Sequence, residues 1–389
     1  MIKSKSVQTS PRKDRPFVFL VLMFLLFGII IIADSTIIHS DSLYNDPYRF
    51  VFLQLGWVVI GLLGFTFFYK LDYKKIDKIA ALFFTATLIF LVALAIVSVL
   101  PCSWNIFFAP CINGANRWLY LNGPPLPKIP ILGVVGFQPG ELTKLTLILY
   151  LSTMLPKVLQ DNKNPFKLYA VITGIFFVLI IAQPNMSTAV MVAAIGTVVY
   201  FASGSSIKPL FMLAPVLLIM ATVLIILSPY RRDRLLTQIK GFDADDRGEG
   251  YHIKQIQIAL GSGGMFGVGF GQSRQKYYYL PEVASDSIFA IIGEEFGFAG
   301  TVVVIFAFSY LIYLGFDIAK HAKSLRGRLL ASGVTSWIGL QFFVNIGAMT
   351  QILPLTGVPI PLISYGGSSM VFSLMGLGIL ANVGREISK

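Results

Sequence analysis

Apolar runs of about twenty residues recur along the whole chain, separated by shorter polar connections. A helix of about twenty residues spans the hydrocarbon core of a bilayer. The pattern therefore predicts membrane spans near residues 17–33, 50–69, 79–100, 139–156, 168–183, 186–203, 207–229, 286–318, 329–350 and 365–384. We expect an all-α integral membrane protein of about ten transmembrane helices, with a large outer loop between the seventh and eighth spans.

The composition agrees with this pattern, because 55% of the 389 residues are hydrophobic and only 13% are charged. Soluble domains carry about 25% charged residues. The segments on the N-terminal side of the predicted membrane hold 19 of the 31 Lys and Arg residues, and the short loops on the other side hold three. The positive-inside rule places both termini in the cytoplasm, and it explains the net charge of +12 without a nucleic-acid partner.

The chain has room for one membrane domain and for no separate soluble domain. We expect a basic cytoplasmic tail at 1–16, a single polytopic domain at 17–384 and a short cytoplasmic tail at 385–389. The polytopic domain includes two long outer loops, 101–138 and 230–285. The basic start and first apolar run resemble a signal peptide, but no small-x-small cleavage site follows. The first span is therefore expected to remain uncleaved.

The first outer loop contains the two cysteines of the chain, Cys102 and Cys111. On the oxidising side of a membrane they can form a disulfide that closes a short loop, and two buried thiols are an equally open alternative. The three histidines are scattered and give no metal-ligand spacing, so we predict no metal site built by the protein.

Ionisable residues within predicted spans are functional candidates, because a charge in a membrane is costly. Asp286 begins the eighth predicted span and faces the outer side. It can act as a base that water reaches, or it can simply cap the first turn of its helix, as Ser285 also can. Glu294 and Glu295 lie deeper in the same span, where we favour structural carboxylates paired to another helix.

A second charged pair begins the fourth predicted span. Glu141 and Lys144 are three residues apart, so they share a helix face and can form an ion pair. The functional alternative is a cation held near an anionic headgroup. The outer basic residues can line the same site or belong to a solvated loop, and they are Arg117, Arg231, Arg232, Arg234, Arg274 and Lys276.

Two stretches rich in glycine or proline interrupt the helical pattern. The glycines of 261–271 fit no dinucleotide-binding register, so we expect them to let a re-entrant or interfacial backbone turn tightly and pack closely. The prolines and glycines of 353–369 break a helix at an outer edge. Ser364, Tyr365 and Ser368 would supply hydroxyl groups there, and an ordinary proline-rich turn is the alternative.

Several of these stretches match motifs of one family. They read GANRWL and QPGELTK in the first half, then RRDRLL, GYHIKQIQIALGSGGMFGVGFGQSRQKYYYLPE, SDSIFAIIGEE and LPLTGVPIPLISYGGSS. On these residues the chain resembles the SEDS (FtsW/RodA) family of bacterial cell-wall synthesis over nearly its whole length. The RRDR and SRQK…YLPE wording is closer to the division-type branch than to the elongation-type branch.

The resemblance implies a peptidoglycan glycosyltransferase that polymerises lipid II at the outer face of the bacterial cytoplasmic membrane, at the division site. It implies that Asp286 is the essential aspartate, and that Arg117, Glu141, Lys144 and Glu282 occupy family motif positions. Together with the candidates above, the predicted substrate-binding residues are Arg117, Glu141, Lys144, Arg231, Arg234, Arg274, Lys276, Glu282, Ser364, Tyr365 and Ser368.

The chain departs from the family pattern at three positions near these motifs. Asn185 stands where the family often has an aspartate, Gly140 replaces a serine, and Ser287 follows Asp286 where phenylalanine is common. The carboxylate that Asn185 replaces therefore cannot be essential in this chain. None of the three changes removes Asp286.

The implied reaction suits these residues. Asp286 would accept the proton of an attacking sugar hydroxyl, and the cations would meet the departing polyprenyl diphosphate, with Mg²⁺ or Mn²⁺ as an optional aid. The implied partners are lipid II, the growing glycan strand, a class B penicillin-binding transpeptidase and other division membrane proteins. A lipid II flippase and a non-enzymatic division scaffold are the two alternatives.

Overall fold

The computed structural model describes residues 13–72, 75–104, 106–112, 114–123, 134–212 and 248–387, with residues 215, 222, 223, 226, 232 and 236. The seventh predicted span, 207–229, lies largely outside these residues, and the candidate cations Arg231 and Arg234 lie wholly outside them. The described helices are α1 (Asp14–Tyr44), α2 (Arg49–Lys70), α3 (Ile76–Val97), α4 (Pro139–Gln160), α5 (Pro165–Ile181), α6 (Met186–Ala202), α7 (Glu249–Ser262), α8 (Ile288–His321), α9 (Leu325–Met349) and α10 (Gly367–Ile387).

The helices confirm a multi-pass membrane protein. Seven of those in the described ranges are long and apolar enough to cross a membrane, and α5 and α6 are shorter apolar helices. Nine of the ten predicted spans therefore lie in described helices, and the described residues 208–212 of the seventh are helical as well. The strands within the described residues are one antiparallel pair in the first outer loop, β1 (Leu119–Tyr120) and β2 (Gly136–Phe137).

Helix α1 is longer than its apolar run, which predicted an end near residue 33. It continues to Tyr44 through three polar residues, Asp34, Ser35 and Thr36. The Thr36 hydroxyl donates to the Ile32 carbonyl over 2.6 Å, and the Asp34 carboxylate pairs with Lys276. The helix can therefore extend past its apolar run because these polar side chains find partners within the protein.

The core of the bundle is formed by α4, α9 and α10, whose surfaces are mostly buried. Helix α10 packs along α2, and a Cβ at Gly378 would overlap the main-chain carbonyl of Phe65. Helices α1, α2 and α3 expose large apolar side chains such as Phe19, Leu63 and Leu82. An apolar helix with such an exposed surface is typical of a span that faces lipid.

Residues 248–285 of the second outer loop contain a helix that the apolar pattern does not predict. Helix α7 lies within it, and α8 begins at Ile288 rather than at the predicted 286. Helix α8 is also broken at Gly297, whose φ of 66° and ψ of −166° are not helical. The single long helix predicted for 286–318 is therefore wrong in this detail, because glycine tolerates a backbone conformation that ends the helical ladder.

The glycine-rich stretch after α7 packs directly into this break. The amides of Val268 and Gly269 donate to the carbonyls of Glu294 and Glu295 over 3.0 and 3.1 Å. In return, the amides of Phe298 and Ala299 donate to loop carbonyls at 2.9 and 3.0 Å, those of Gly264 and Met265. Backbone groups freed by the break thus find partners in the protein, as non-helical backbone within a membrane requires.

Close approach of the two backbones explains why glycine is needed here. A Cβ at Gly263 would overlap the Gly293 carbonyl, and a Cβ at Gly267 would overlap the Glu295 carbonyl. Gly267 also has a φ of 83°, which side chains disfavour. The sequence-based expectation that these glycines allow tight turns and close packing is confirmed.

The first outer loop is closed by a disulfide between Cys102 and Cys111, whose Cα atoms are 5.5 Å apart. Of the two alternatives that the sequence leaves open, the structure has the bridged one. The buried Asn116 donates from its side-chain amide to the Ala109 carbonyl over 2.7 Å. This contact fixes the residue beside Arg117 against the bridged loop.

Candidate active site

Asp286 lies before the start of α8, in a tight turn that precedes the helix. The N-cap position is Ser287, and its side chain makes no capping hydrogen bond, so Asp286 is not the cap residue. The Ser287 hydroxyl instead lies 2.7 Å from Nε2 of His252 in α7. The carboxylate of Asp286 is half-buried, and its Oδ1 accepts a hydrogen bond from the Ser285 hydroxyl over 3.2 Å.

Glu282 begins this turn and is exposed. Its carboxylate accepts a hydrogen bond from Ser285 over 2.7 Å, and its carbonyl accepts from the amides of Ser285 and Ser287. Its φ of 52° is in the left-handed region, which is uncommon for a residue with a side chain. The turn therefore brings two carboxylates, Glu282 and Asp286, to the same hydroxyl.

The broken segment before α10 forms the opposite wall. A Cβ at Gly357 would lie 3.7 Å from Oδ2 of Asp286, so this backbone faces the carboxylate. The Tyr365 amide donates to the Ala284 carbonyl over 2.8 Å, which joins the segment to the Asp286 turn. Asn345 of α9 donates to the carbonyl of Asp286 and to that of Val358, both over 2.7 Å.

The predicted hydroxyl groups of this segment are mainly engaged in holding it. The Ser364 hydroxyl accepts a hydrogen bond from the Ile360 amide over 2.8 Å, and the Ser368 hydroxyl accepts from the Gln138 amide over 3.0 Å. Tyr365 is half-buried, and its ring packs edge-on against the Phe50 ring with 5.1 Å between the ring centres.

Glu141 and Lys144 form the predicted ion pair, with Nζ and Oε1 2.7 Å apart in the bundle interior. Lys144 also donates to Oε1 of Gln341 over 2.8 Å and lies over the Trp337 ring at 5.4 Å from its centre. Gln341 donates in turn to the Pro359 carbonyl and to the Ser369 hydroxyl. A continuous polar network thus runs from the start of α4 to the segment that faces Asp286.

Glu294 and Glu295 hold the outer loop rather than join Asp286. Glu294 accepts hydrogen bonds from the Ser273 hydroxyl over 2.5 Å and from the Arg274 amide over 3.0 Å. Glu295 accepts from Lys276, which also pairs with Asp34 of α1 over 2.7 Å. The two carboxylates thus have the structural role that we favour from the sequence, but their direct partners lie in the outer loop at 273–276 and not on another helix.

Lys276 is buried, although the sequence places it among the outer cations. Burial lowers its pKa, but its hydrogen bonds and charge contacts with Asp34 and Glu295 outweigh burial, so its pKa lies above the usual value. The amine is thus charged and already paired. Among the other predicted cations, Arg274 is exposed and Arg117 is half-buried.

Arg117 contacts the turn between α5 and α6 rather than the Asp286 turn. Its Nε donates to the Gln183 carbonyl over 3.4 Å, and its Nη2 donates to the Pro184 carbonyl over 2.5 Å. The start of α4 lies beside this turn, because a Cβ at Gly140 would be 3.1 Å from Thr188. Within the part of the chain that the structure describes, no group of three His, Cys, Asp or Glu residues lies close enough to hold a metal ion.

Comparison with known proteins decides the family. A profile described as Cell cycle protein, FtsW/RodA/SpoVE, matches residues 15–389. The chain belongs to this family. Stage V sporulation protein E of Bacillus subtilis (strain 168) is 32% identical over 382 residues, which cover 97% of this chain and 98% of that protein. The probable peptidoglycan glycosyltransferase FtsW of Francisella salina is 32% identical over 391 residues, which cover 99% of this chain and 92% of the relative.

Two solved structures share the fold of this FtsW/RodA/SpoVE chain. One, described as "Structural coordination of polymerization and crosslinking by a peptidoglycan synthase complex", has a TM-score of 0.72 and 26% identity over 96% of this chain and 97% of that chain. The other is the rod shape determining protein RodA of Thermus thermophilus, with a TM-score of 0.65 and 26% identity over 95% and 96% of the two chains. The expected SEDS-like membrane fold is confirmed.

Four residues that hold this FtsW/RodA/SpoVE site and its loop are absent from the sequence-based candidates, because charge within an apolar span is the signal that marks a candidate. They are Asp34, His252, Gln341 and Asn345. Gln341 and Asn345 are uncharged amides four residues apart in an apolar run, and that spacing places them on one helix face. Two amides at helical spacing within an apolar run are therefore the sequence signal for this pair.

Proposed function

We propose that this chain is a peptidoglycan glycosyltransferase that polymerises lipid II into glycan strands at the outer face of the cytoplasmic membrane during cell division. Relatives named as probable peptidoglycan glycosyltransferase FtsW match nearly all of the chain, which supports the reaction class. The single observation that carries the assignment of the site is the half-buried Asp286 carboxylate, which lies between its own turn and the Gly357 backbone.

The reaction is a displacement at an anomeric carbon. A hydroxyl of one lipid-linked saccharide attacks the anomeric carbon of another, the bond to the polyprenyl diphosphate breaks, and the hydroxyl proton passes to a base. We assign that base to Asp286, because a positioned carboxylate can accept a proton in the transition state. One displacement inverts the anomeric centre, and an activated diphosphate needs no second carboxylic acid to leave.

Positive charge near the departing diphosphate would stabilise the transition state. Arg117 and Arg274 are the candidates whose side chains are at least partly exposed, and Arg231 and Arg234 are proposed from the sequence. Lys144 and Lys276 are buried in ion pairs, so contact with a phosphate would require those pairs to open. We therefore propose Arg117 and Arg274 as the first candidates among the described cations for contact with the diphosphate.

The proposed setting is an assembly at the division site. A similar solved chain comes from a structure described as a peptidoglycan synthase complex that coordinates polymerization and crosslinking, which supports a crosslinking partner. We propose a class B penicillin-binding transpeptidase as that partner, together with other division membrane proteins. Both termini are proposed to be cytoplasmic, since the Lys and Arg distribution favours that orientation.

The test is glycan-strand synthesis from purified lipid II by the detergent-solubilised protein with its partner. We expect Asp286→Asn to lower the rate by about 10²–10⁴-fold, because the amide has a similar shape but cannot accept the proton. Asp41→Asn is the matched control, since Asp41 is an exposed carboxylate at the outer end of α1, and it should polymerise at the parent rate.

Thermal melting and co-purification with the partner must show that both variants are folded and assembled. An Asp286→Asn protein that is folded, partner-bound and as fast as the parent would remove the general-base assignment. A parent protein that moves lipid II across sealed vesicles but makes no polymer would instead favour the flippase alternative.

A further inference from the structure

Asn345 is a buried amide that holds two separate backbone segments. Only 1% of the residue is exposed, and its Nδ2 donates to the carbonyls of Asp286 and Val358, each over 2.7 Å. Both partners are acceptors, so only the NH₂ end of the amide fits between them. The two N–H bonds of the side chain are thus directed to two segments that are 72 positions apart in the chain.

The two segments that Asn345 holds are those that face each other across the Asp286 carboxylate. The first carries the carboxylate itself. The second carries Gly357, the residue before Val358, whose backbone lies beside Oδ2 of Asp286. Gly357 has a φ of 62°, so this wall depends on a backbone conformation that favours glycine. The Asn345 side chain therefore holds the Asp286 main chain and this wall together directly, beside the backbone hydrogen bond from Tyr365 to Ala284.

The turn of α9 that precedes Asn345 repeats the arrangement. Gln341, one turn earlier on the same face, donates to the carbonyl of Pro359, the residue after Val358. Gln341 also accepts a hydrogen bond from Lys144, which belongs to the ion pair at the start of α4. Helix α9 thus donates hydrogen bonds to two successive carbonyls of the wall, those of Val358 and Pro359. Of the two donors, Asn345 is the one that also donates to the carbonyl of Asp286.

We propose that Asn345 is a positioning residue, which acts on the reaction only through Asp286. It fixes the main chain of Asp286 relative to the Gly357 wall, so that the carboxylate stays within reach of the attacking hydroxyl. The inference rests on the proposed function, because it assumes that Asp286 accepts a proton. A misplacement of a reacting group by about 1 Å can cost on the order of 10²-fold in rate.

The experiment compares two buried asparagines in the same polymerisation assay. Asn382 of α10 is the matched control, because it is 2% exposed and donates to two carbonyls, Phe68 and Leu71, each over 2.8 Å. Those carbonyls belong to the C-terminal turn and C-cap of α2, which the proposed topology places on the opposite side of the membrane from Asp286. We expect both Asn345→Ala and Asn382→Ala to lower the melting temperature, since each leaves two carbonyls without a donor.

Only Asn345→Ala should lower kcat, by up to about 100-fold, which is the cost of misplacing a reacting group by about 1 Å. Its KM for lipid II should stay near the parent value, because Asn345 is not proposed to bind substrate. If Asn345→Ala cannot be recovered folded, Asn345→Ser takes its place, with a smaller loss of kcat because its hydroxyl can donate one hydrogen bond.

A double variant separates positioning from an independent role. Added to Asp286→Asn, Asn345→Ala should not lower the residual rate further, since its effect passes through the missing carboxylate. The inference is overturned if Asn345→Ala keeps the kcat of the parent, or if Asn382→Ala lowers kcat by as much as Asn345→Ala does. It is also overturned if Asn345→Ala lowers the residual rate of Asp286→Asn by the same factor by which it lowers the rate of the parent. An inactive parent overturns the proposed function as well, whereas an active parent with an insensitive Asn345 overturns this inference alone.

Discussion

At the scale of single residues, two sets of buried charges near the proposed outer face are ion pairs. Glu141 pairs with Lys144, and Lys276 lies between Asp34 and Glu295. Removing one member of a buried pair is strongly destabilising, because the other charge is left without compensation. These residues therefore contribute first to stability, and their effect on activity has to be measured in variants that remain folded.

The Glu141–Lys144 pair gives a direct test. Lys144→Met or Glu141→Gln alone should destabilise the protein by about 3–5 kcal/mol, because each leaves one buried group unpaired. The double variant should recover part of the melting temperature that the single variants lose. Lys163→Met is the control, since its ion pair with Asp161 is exposed and such pairs contribute about 0–1 kcal/mol.

Lipid II binding by the same variants tests the second role predicted for Lys144. A double variant that melts near the parent temperature but no longer binds lipid II would assign the lysine to the substrate. A double variant whose loss of stability equals the sum of the two single losses would contradict the coupling between the two side chains.

At the scale of elements, the break in α8 and the glycine-rich loop form one unit. Four backbone hydrogen bonds join residues 264–269 to residues 294–299, and the carboxylates of Glu294 and Glu295 hold the turn that follows the loop. The unit depends on close backbone approach, which a side chain at any of several glycines would prevent. The loop and the helix therefore have to fold together.

Gly297→Ala tests this dependence. A Cβ there would overlap the Gly267 amide, and the φ of 66° would be strained, so we expect a lower melting temperature and lower polymerisation activity. Gly261→Ala is the control within α7, because a Cβ at that position meets nothing within 4 Å and alanine favours a helix. A Gly297→Ala protein that melts like the parent would show that the break tolerates a side chain.

The first outer loop offers a chemical test at the same scale. Because Cys102 and Cys111 are bridged, thiol reagents should not label either residue in the denatured, unreduced protein. Reduction before labelling should expose both thiols, which checks that the reagent reaches them. Labelling without reduction would show two free thiols.

Sequence patterns predict the elements of this protein better than the contacts between them. The apolar runs place nine described helices, because span length and hydropathy are local properties of the chain. The ion pair of Asp34 with Lys276 joins residues 242 positions apart, and periodicity carries no information about such a pair. The sequence marks Asp286 because a carboxylate in an apolar span is unusual. It does not mark Asn345, the uncharged residue that donates to the Asp286 carbonyl.

At the scale of the whole molecule, orientation in the membrane decides where the Asp286 site can act. The short loops on the side of the N-terminus hold most of the Lys and Arg residues, so we expect a reporter fused after Ser388 to be cytoplasmic. A reporter inserted near Asp245 should lie outside, because that residue is in the second outer loop. Reporter activity from the opposite compartment at either position would contradict an outer-face site.

The break in α8 also determines how the amides around it exchange with solvent deuterium. In an unbroken helix, the Phe298 and Ala299 amides would be protected by carbonyls of their own helix. Here their protection comes from carbonyls of the loop, and the Val268 and Gly269 amides are protected in turn by the Glu294 and Glu295 carbonyls. Amides that depend on one docking event become accessible together when it is reversed. The exchange rate of these amides therefore measures the free energy of lifting the loop from α8, a quantity distinct from that of unfolding the bundle.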